Sequence, residues 1–239
     1  MISVCIATYN GERFLGKQLQ SILEQLGELD EVIISDDSST DRTLEVVRSF
    51  NDPRIRIFEG QTFRNAIFNF EYALRQARHD SIFLSDQDDE WEPGKVKRMS
   101  DALQQYDMVV TDHSVVDDHG RVILPSYFER VPSGPGLLRN LKKNTYYGCC
   151  MAFRRTVLEV ALPFPKNIPM HDIWLGFVAD LFFKATFIDY PYTRYRKHSD
   201  NVSTATDIVS TATLTAKIGY RWNIIRYLPT AILRKFKHK

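Results

Sequence analysis

The 239-residue sequence has no apolar run long enough to span a bilayer and so offers no candidate for a membrane-crossing helix. Cysteine is scarce. Cys5, Cys149 and Cys150 are odd in number and two are adjacent, so no disulfide framework is expected and the usage reads as that of a reduced, cytoplasmic compartment. Net charge is almost absent, at +1, and with it the electrostatic basis of a nucleic-acid binder. Glycine is sparse where a triphosphate cradle would need it: ATYNGER, after the first apolar segment, holds a single one. The opening MISVCIATYN lacks the charged and long apolar regions of a secretory signal, and its alternating β-branched residues predict a core strand. No internal repeat or low-complexity segment is present.

What is present is an apolar fraction of 44%, enough for a substantial core, and a regular alternation of strand and helix patterns. Strands are expected at 2–8, 31–35, 54–58 and 81–84, with amphipathic helices at 13–26, from a cap at Thr40 or Asp41 to Phe50, and at 65–78. A helix after Pro93, a strand at 108–111 and a hairpin turning at Asp118-His119-Gly120 follow. The second half holds strand patterns at 149–153 and 186–190, a long apolar helix at 172–184, and a polar stretch, 191–212, that reads as a mobile loop. The expected organisation is one α/β domain over 1–212, with a Rossmann-like nucleotide-binding half (1–112) continuous with an acceptor-binding half (113–212), then a tail at 213–239.

The tail differs electrostatically from the body. From Asp207 onward seven Lys/Arg face one acid, so that stretch carries +6 and the remainder −5. Ile, Leu, Trp, Tyr and Phe are interleaved with these cations, the composition of a helix lying in a lipid headgroup region, and Pro229 is expected to divide it into two short pieces. Peripheral contact with an anionic membrane is therefore expected; a helix packed on the body is the competing reading.

The densest chemistry lies in SDQDDEWEPGK, residues 85–95. Crowded carboxylates repel, and unless a cation or a shared proton relieves them they destabilise the compact state. One reading is a solvated turn with Asp89 capping the helix after Pro93. The other is a site: ligands of open α/β sheets bind beyond the carboxyl ends of the strands, where Thr8-Tyr9-Asn10, Asp36-Asp37 and Asp86-Gln87-Asp88-Asp89 would converge. Asp86 and Asp88 can hold Mg²⁺ or Mn²⁺, which favours carboxylates plus substrate phosphates. Tyr9 offers a flat face to a base and Asp37 an acceptor for a ring N–H, so a nucleoside diphosphate fits this inventory.

The blocks ATYNGERFL, ISDDSSTDRT, IFNFEYAL, FLSDQDDEWEPGKVKRM, YYGCCMAFRR, HDIWLG and YRKHSDNVS, in this order, resemble the family 2 glycosyltransferases of the GT-A fold, in particular the bacterial rhamnosyltransferase-like branch of surface-polysaccharide synthesis. The resemblance covers residues 1–204 and implies an inverting, metal-dependent transfer from a nucleotide sugar, dTDP-rhamnose or a UDP-hexose, to a hydroxyl of a growing, lipid-linked cell-surface glycan. It places Thr8, Tyr9 and Asp37 around the base, Asn69 nearby, Asp86 towards the ribose and Asp88 on the metal. It makes Asp172 the general base and puts His198 on a loop that closes over metal and diphosphate, with Arg196 or Lys197 neutralising the leaving group. Trp91 is expected to stack on a sugar ring, and Gly148 to allow close approach of the acceptor.

Three other classes compete. A nucleotidyltransferase would share the sheet and the acidic pair but needs a glycine-rich basic loop after strand one. A non-catalytic sugar-nucleotide binder would have lost Asp88, Asp172 or His198, and all three are present. A phosphorelay receiver would need an aspartate ending the third strand, where Glu59-Gly60 stands.

Overall fold

The computed structural model describes residues 1–198 and 213–237. Its first part follows the expected alternation: β1 (Ile2–Thr8), α1 (Leu15–Leu23), β2 (Glu31–Asp36), α2 (Thr43–Ser49), β3 (Ile55–Phe58), α3 (Ala66–Gln76) and β4 (Ser81–Ser85). Strands β3, β2, β1 and β4 lie side by side and parallel, with Thr8 level with Asp36 and Ile6 level with Ser85. Their carboxyl ends share one rim.

Strand periodicity divides the core between the two faces of this sheet. Ile2, Val4 and Ile6 pack with Leu15, Leu19 and Ile22 of α1, whereas Cys5 between them packs with Phe70, Ala73 and Leu74 of α3. Burying each of the α1 side chains is worth about 1.5–3 kcal/mol. Asn65 caps α3 by accepting the Ile67 N–H at 2.8 Å, and Asp41 accepts the Thr43 N–H at 3.0 Å at the start of α2. The Asn65 cap contributes about 1 kcal/mol, whereas the N-cap of α2 is Arg42, not Thr40 or Asp41, and makes no side-chain cap.

The chain continues through β5 (Glu90–Trp91), α4 (Lys95–Ala102), β6 (Met108–Val116), β7 (Val122–Leu124), α5 (Tyr127–Arg130), α6 (Leu137–Lys142), a 3-10 turn at Gly148–Cys150, β8 (Met151–Arg154), α7 (Arg155–Ala161), α8 (His171–Phe182), β9 (Ala185–Arg196), α9 (Leu214–Ile225) and α10 (Leu228–Lys237). The sheet extends from β4 through β8, β6 and β9 to β5, with β8 antiparallel to both neighbours and β6 parallel to β9. β7 folds back on β6 through a turn at Gly120, whose φ of +80° favours glycine. One sheet thus runs through both halves, and β6 crosses the expected division at residue 112.

Several local expectations change. Residues 191–196 are not loop but the end of β9, paired with β6, with Thr193 and Tyr195 alternately buried; residues 199–212 lie outside the described residues. Asp89 caps no helix, because the N-cap of α4 is Gly94 at φ +85°. The long apolar helix begins at His171 with Met170 as its N-cap, so Asp172 lies in the first turn of α8.

The tail is docked on the body. Ile224 and Ala231 are buried in the core, and Arg234 donates to the carbonyls of Val160, Ala161 and Pro163 at 3.3, 3.1 and 2.9 Å. The two helices part at Arg226–Tyr227, and Pro229 falls in the first turn of α10, where an absent N–H leaves no helical bond unmade. The outward face repeats at helical spacing through Trp222, Ile225, Arg226, Pro229, Leu233 and Phe236. Among the described residues no helix is long and apolar enough to cross a membrane.

Candidate active site

At the end of β1, Tyr9 is exposed and its backbone is clamped by Gln87, which accepts the Tyr9 N–H at 2.9 Å and donates to the Tyr9 carbonyl at 3.0 Å. Gln87 therefore turns towards β1 from between Asp86 and Asp88. At the end of β2, Asp36 accepts from Thr8 Oγ1 at 2.9 Å and from Ser39 N and Oγ at 2.9 and 2.6 Å. Asp37 accepts the Phe63 and Asn65 N–H groups at 2.5 and 3.2 Å, fixing the loop before α3 beside the rim.

Behind β4, Asp86 and Asp89 are governed by burial and by the charge of their neighbours. Burial, followed by the negative charges of Asp88 and Asp172, pushes the Asp86 carboxyl up to about 8. Asp89 is buried and likewise raised by burial and by Asp88 and Asp86; its Oδ1 accepts the Arg196 N–H at 2.8 Å, while Oδ2 is buried without a hydrogen-bond partner. Ligand atoms of Asp86, Asp89 and Cys149 lie within 4.8 Å of one another. Asp88 Oδ2 is 2.7 Å from His198 Nε2, which the end of β9 delivers to the cluster from 110 residues away.

Asp172 faces the same cluster from α8. Its Oδ2 accepts the Gly148 N–H at 3.2 Å and its Oδ1 the Ile173 N–H at 2.6 Å. Burial nevertheless outweighs these donors and pushes the carboxyl up to about 7, the range in which a general base works at neutral pH. His171 beside it is stacked on Phe70 at 4.2 Å and held down to about 3 by burial, so it is neutral and adds no charge to Asp172.

The sequence profile described as Glycosyl transferase family 2 matches residues 3–162, more than half of the chain. The chain belongs to glycosyl transferase family 2. Among curated relatives, the dTDP-rhamnosyl transferase RfbG of Shigella flexneri is 30% identical over 215 residues, 82% of this chain and 72% of that protein. An uncharacterized glycosyltransferase of Nostoc is 29% identical over 68% of this chain, which spans only 53% of that protein's length. The Escherichia coli UDP-Glc:alpha-D-GlcNAc-diphosphoundecaprenol beta-1,3-glucosyltransferase WfgD is 23% identical over 85% of this chain and 79% of its own. Among solved structures, S. aureus TarS in complex with UDP-GlcNAc superimposes with a TM-score of 0.69 at 18% identity, covering 95% of this chain and 72% of that one. The mannosyltransferase PcManGT of Pyrobaculum calidifontis, in complex with GDP-Man and Mn²⁺, gives 0.62 at 19% identity, covering 98% and 73%. These neighbours show the fold, which is GT-A.

The residues of this family 2 chain fit a divalent cation. Hard oxygen donors crowd together under their own repulsion, an imidazole nitrogen meets one of them, and a buried carboxylate oxygen has no partner. Other expected roles do not survive the geometry. Trp91 is 3% exposed and packs against Phe83 at 5.9 Å in the core, so its ring cannot stack on a sugar. Arg196 is buried and cross-braces the acidic loop: its guanidinium donates to the carbonyls of Asp88 and Asp117 at 3.1 and 3.0 Å and pairs with Glu90. It is not placed to meet a leaving diphosphate; Lys197, next in the chain, is exposed. Asn69 is buried, accepting from Ser35 Oγ at 2.5 Å and donating to the Thr8 carbonyl at 3.2 Å, and Thr8 is buried as well. Both fix the rim from beneath instead of lining it. Gly148 approaches Asp172 and His171 closely, and a Cβ there would meet His171 Nε2 at 3.0 Å.

Sequence reasoning missed Lys95. It is fully buried, with its ammonium donating to the Cys149 carbonyl at 2.7 Å and to Thr193 Oγ1 at 2.8 Å, and lying 4.4 Å from the Trp91 ring centre. Its signal was its spacing: Lys95 shares one face of α4 with Met99 and Leu103 at four-residue intervals.

Proposed function

We propose that the protein transfers a sugar, with inversion, from a nucleoside diphosphate donor to a hydroxyl of a lipid-linked glycan. One observation carries the reading: a raised Asp172 carboxyl faces an acidic cluster in which Asp88 meets His198. The base of the donor would lie on Tyr9 near Asp37. Asp88 and His198, with Asp86 beside them, would hold Mn²⁺ or Mg²⁺, which supplies charge stabilisation for the departing diphosphate. Asp172 takes the proton of the acceptor hydroxyl as that oxygen bonds the anomeric carbon and the bond from that carbon to the diphosphate breaks. The Gly148 and Ile173 N–H groups hold the carboxylate in place for this transfer. The relatives RfbG and WfgD support dTDP-rhamnose or a UDP-hexose as donor, and the diphosphoundecaprenol in WfgD's name supports the acceptor class. Purified protein incubated with a panel of nucleotide sugars and Mn²⁺ should release nucleoside diphosphate from one of them; release of pyrophosphate instead would mark a nucleotidyltransferase.

A lipid-linked acceptor calls for access to a membrane surface, and the outward face of the tail fits one. Trp222, Ile225 and Leu233 are exposed beside Arg226 and Lys237, while the opposite face is packed on the body. Each cation near an anionic leaflet contributes about 1 kcal/mol. Removing the tail would uncover core, so the cleaner test substitutes Trp222→Ser and Leu233→Ser together. The wild type should co-sediment with anionic vesicles at low salt and release them as salt rises, and the double variant should not bind. Equal binding by both would reassign this face.

A further inference from the structure

The ammonium of Lys95 has three protons and three acceptors: the Cys149 carbonyl, the Thr193 hydroxyl oxygen and the Trp91 ring face. None of them is an anion. Burial holds the Lys95 ammonium below its ordinary range, and the groups that pull the other way are the neighbouring Cys150 and Cys149 with Asp89 and Asp86 of the acidic loop. Lys95 thus serves as a buried counter-charge to the acidic loop without sealing any of its carboxylates in an ion pair. Its two oxygen anchors lead to opposite sides of the site. Cys149 belongs to the turn whose Gly148 N–H holds Asp172, and Thr193 lies on β9, the strand that goes on to Arg196 and His198.

We propose that Lys95 is a positioning residue that ties the proton-accepting side of the site to its metal-binding side, and that its charge sets how strongly the acidic loop binds a divalent cation. The inference rests on the metal site of the proposed function. A positive charge buried near the cluster steadies the carboxylates when no cation is bound and opposes the cation when it enters, and both effects are larger in a low-dielectric interior than in water. Removing the charge while keeping the volume should therefore move two quantities in opposite senses. Cation affinity should rise, because the loop becomes more negative. Turnover should fall, because the turn that orients Asp172 loses its tether. A lysine that merely filled space would weaken both together.

The test uses the full-length protein. Mn²⁺ is titrated in the presence of UDP and followed by the electron paramagnetic resonance signal of the free ion, and turnover is read as nucleoside diphosphate release. Lys95→Met should bind Mn²⁺ about tenfold more tightly, the factor expected for loss of a nearby buried charge, while kcat at saturating Mn²⁺ falls by about tenfold or more and the donor KM moves little. Lys95→Arg keeps the charge and should leave Mn²⁺ affinity within about twofold of wild type. Thr193→Val keeps the charge but removes one anchor, so it should lower kcat with Mn²⁺ affinity unchanged. Thr193→Val also decides the matter if Lys95→Met does not fold: wild-type kcat in Thr193→Val overturns the proposal. A folded Lys95→Met with unchanged or weaker Mn²⁺ affinity overturns it too, and overturns it alone if the wild type binds Mn²⁺ normally. A wild type that does not bind Mn²⁺ with UDP overturns the metal reading and this inference together.

Discussion

Two acidic groups stand at the ends of nearby parallel strands, and they behave as opposites. Asp36 and Asp37 behind β2 are surrounded by donors, the Thr8 and Ser39 hydroxyls and the N–H groups of Ser39, Phe63 and Asn65. Asp86, Asp88 and Asp89 behind β4 face one another, Asp172 and a histidine. The first group is joinery, since its charge is answered by the local chain and its removal would leave buried donors unmade. In the second, burial and like charge outweigh the answering groups, Lys95 and the Arg196 N–H among them, and such imbalances mark places where function is favoured over stability. Residue type and strand position are the same in both; the balance of donors against like charge is what separates them.

The contrast can be broken experimentally. The largest effect is expected from stripping divalent cations or from Asp88→Ala: transfer should vanish. Full turnover in excess chelator would remove the metal from the account. Next, Asp172→Asn should lower turnover by about two to four orders of magnitude, the usual share of a general base, with donor binding nearly unchanged. Because burial lifts Asp172 to about 7, its base form grows as pH rises through neutrality, so kcat/KM should show an acid limb centred near pH 7. A limb below pH 5 would show that another group accepts the proton.

Stability should then separate the two groups by sign. Asp36→Ala should cost about 1–3 kcal/mol through the donors it abandons, lowering Tm by several degrees in a domain of this size. Asp86→Asn, without metal, should raise Tm by a smaller amount by relieving repulsion. If both substitutions destabilise alike, the second cluster is as structural as the first. The smallest effect concerns pH. Asp86, raised to about 8 in the folded state, binds a proton more readily there than in the unfolded chain, so it favours folding at low pH and that contribution fades as pH rises towards and through 8. Metal-free protein should therefore melt at a higher temperature at pH 6 than at pH 8.5, and saturating Mn²⁺ should diminish the difference.

Much of the rim could be read from sequence because it depends on local pattern. Period-two strands and amphipathic helices place Thr8, Asp36 and Ser85 at matching strand ends before any tertiary contact is known. Burial was not legible, because it is set by partners far along the chain. Trp91 reads as a site aromatic until Phe83 and Lys95 close over it. Arg196 reads as an anion binder until it is seen to brace a loop more than a hundred residues upstream. The extension of β9 through 191–196 was under-read for a different reason: Tyr192, Thr193 and Tyr195 favour strands, but the partner strand β6 that pairs with them lies far upstream.

The unequal placement of the three tryptophans gives the molecule an optical consequence. Trp91 and Trp174 are 3% and 0% exposed, whereas Trp222 on the outward face of α9 is 63% exposed. A water-soluble quencher should therefore extinguish one emitter and spare two. The quenchable fraction, red-shifted relative to the rest, reports only on the tail, so a vesicle that covers this face should turn the emission blue and shield it from quencher without any attached dye. Unfolding should instead move the two protected indoles and leave Trp222 nearly unchanged, which makes docking and denaturation separable in a single emission spectrum.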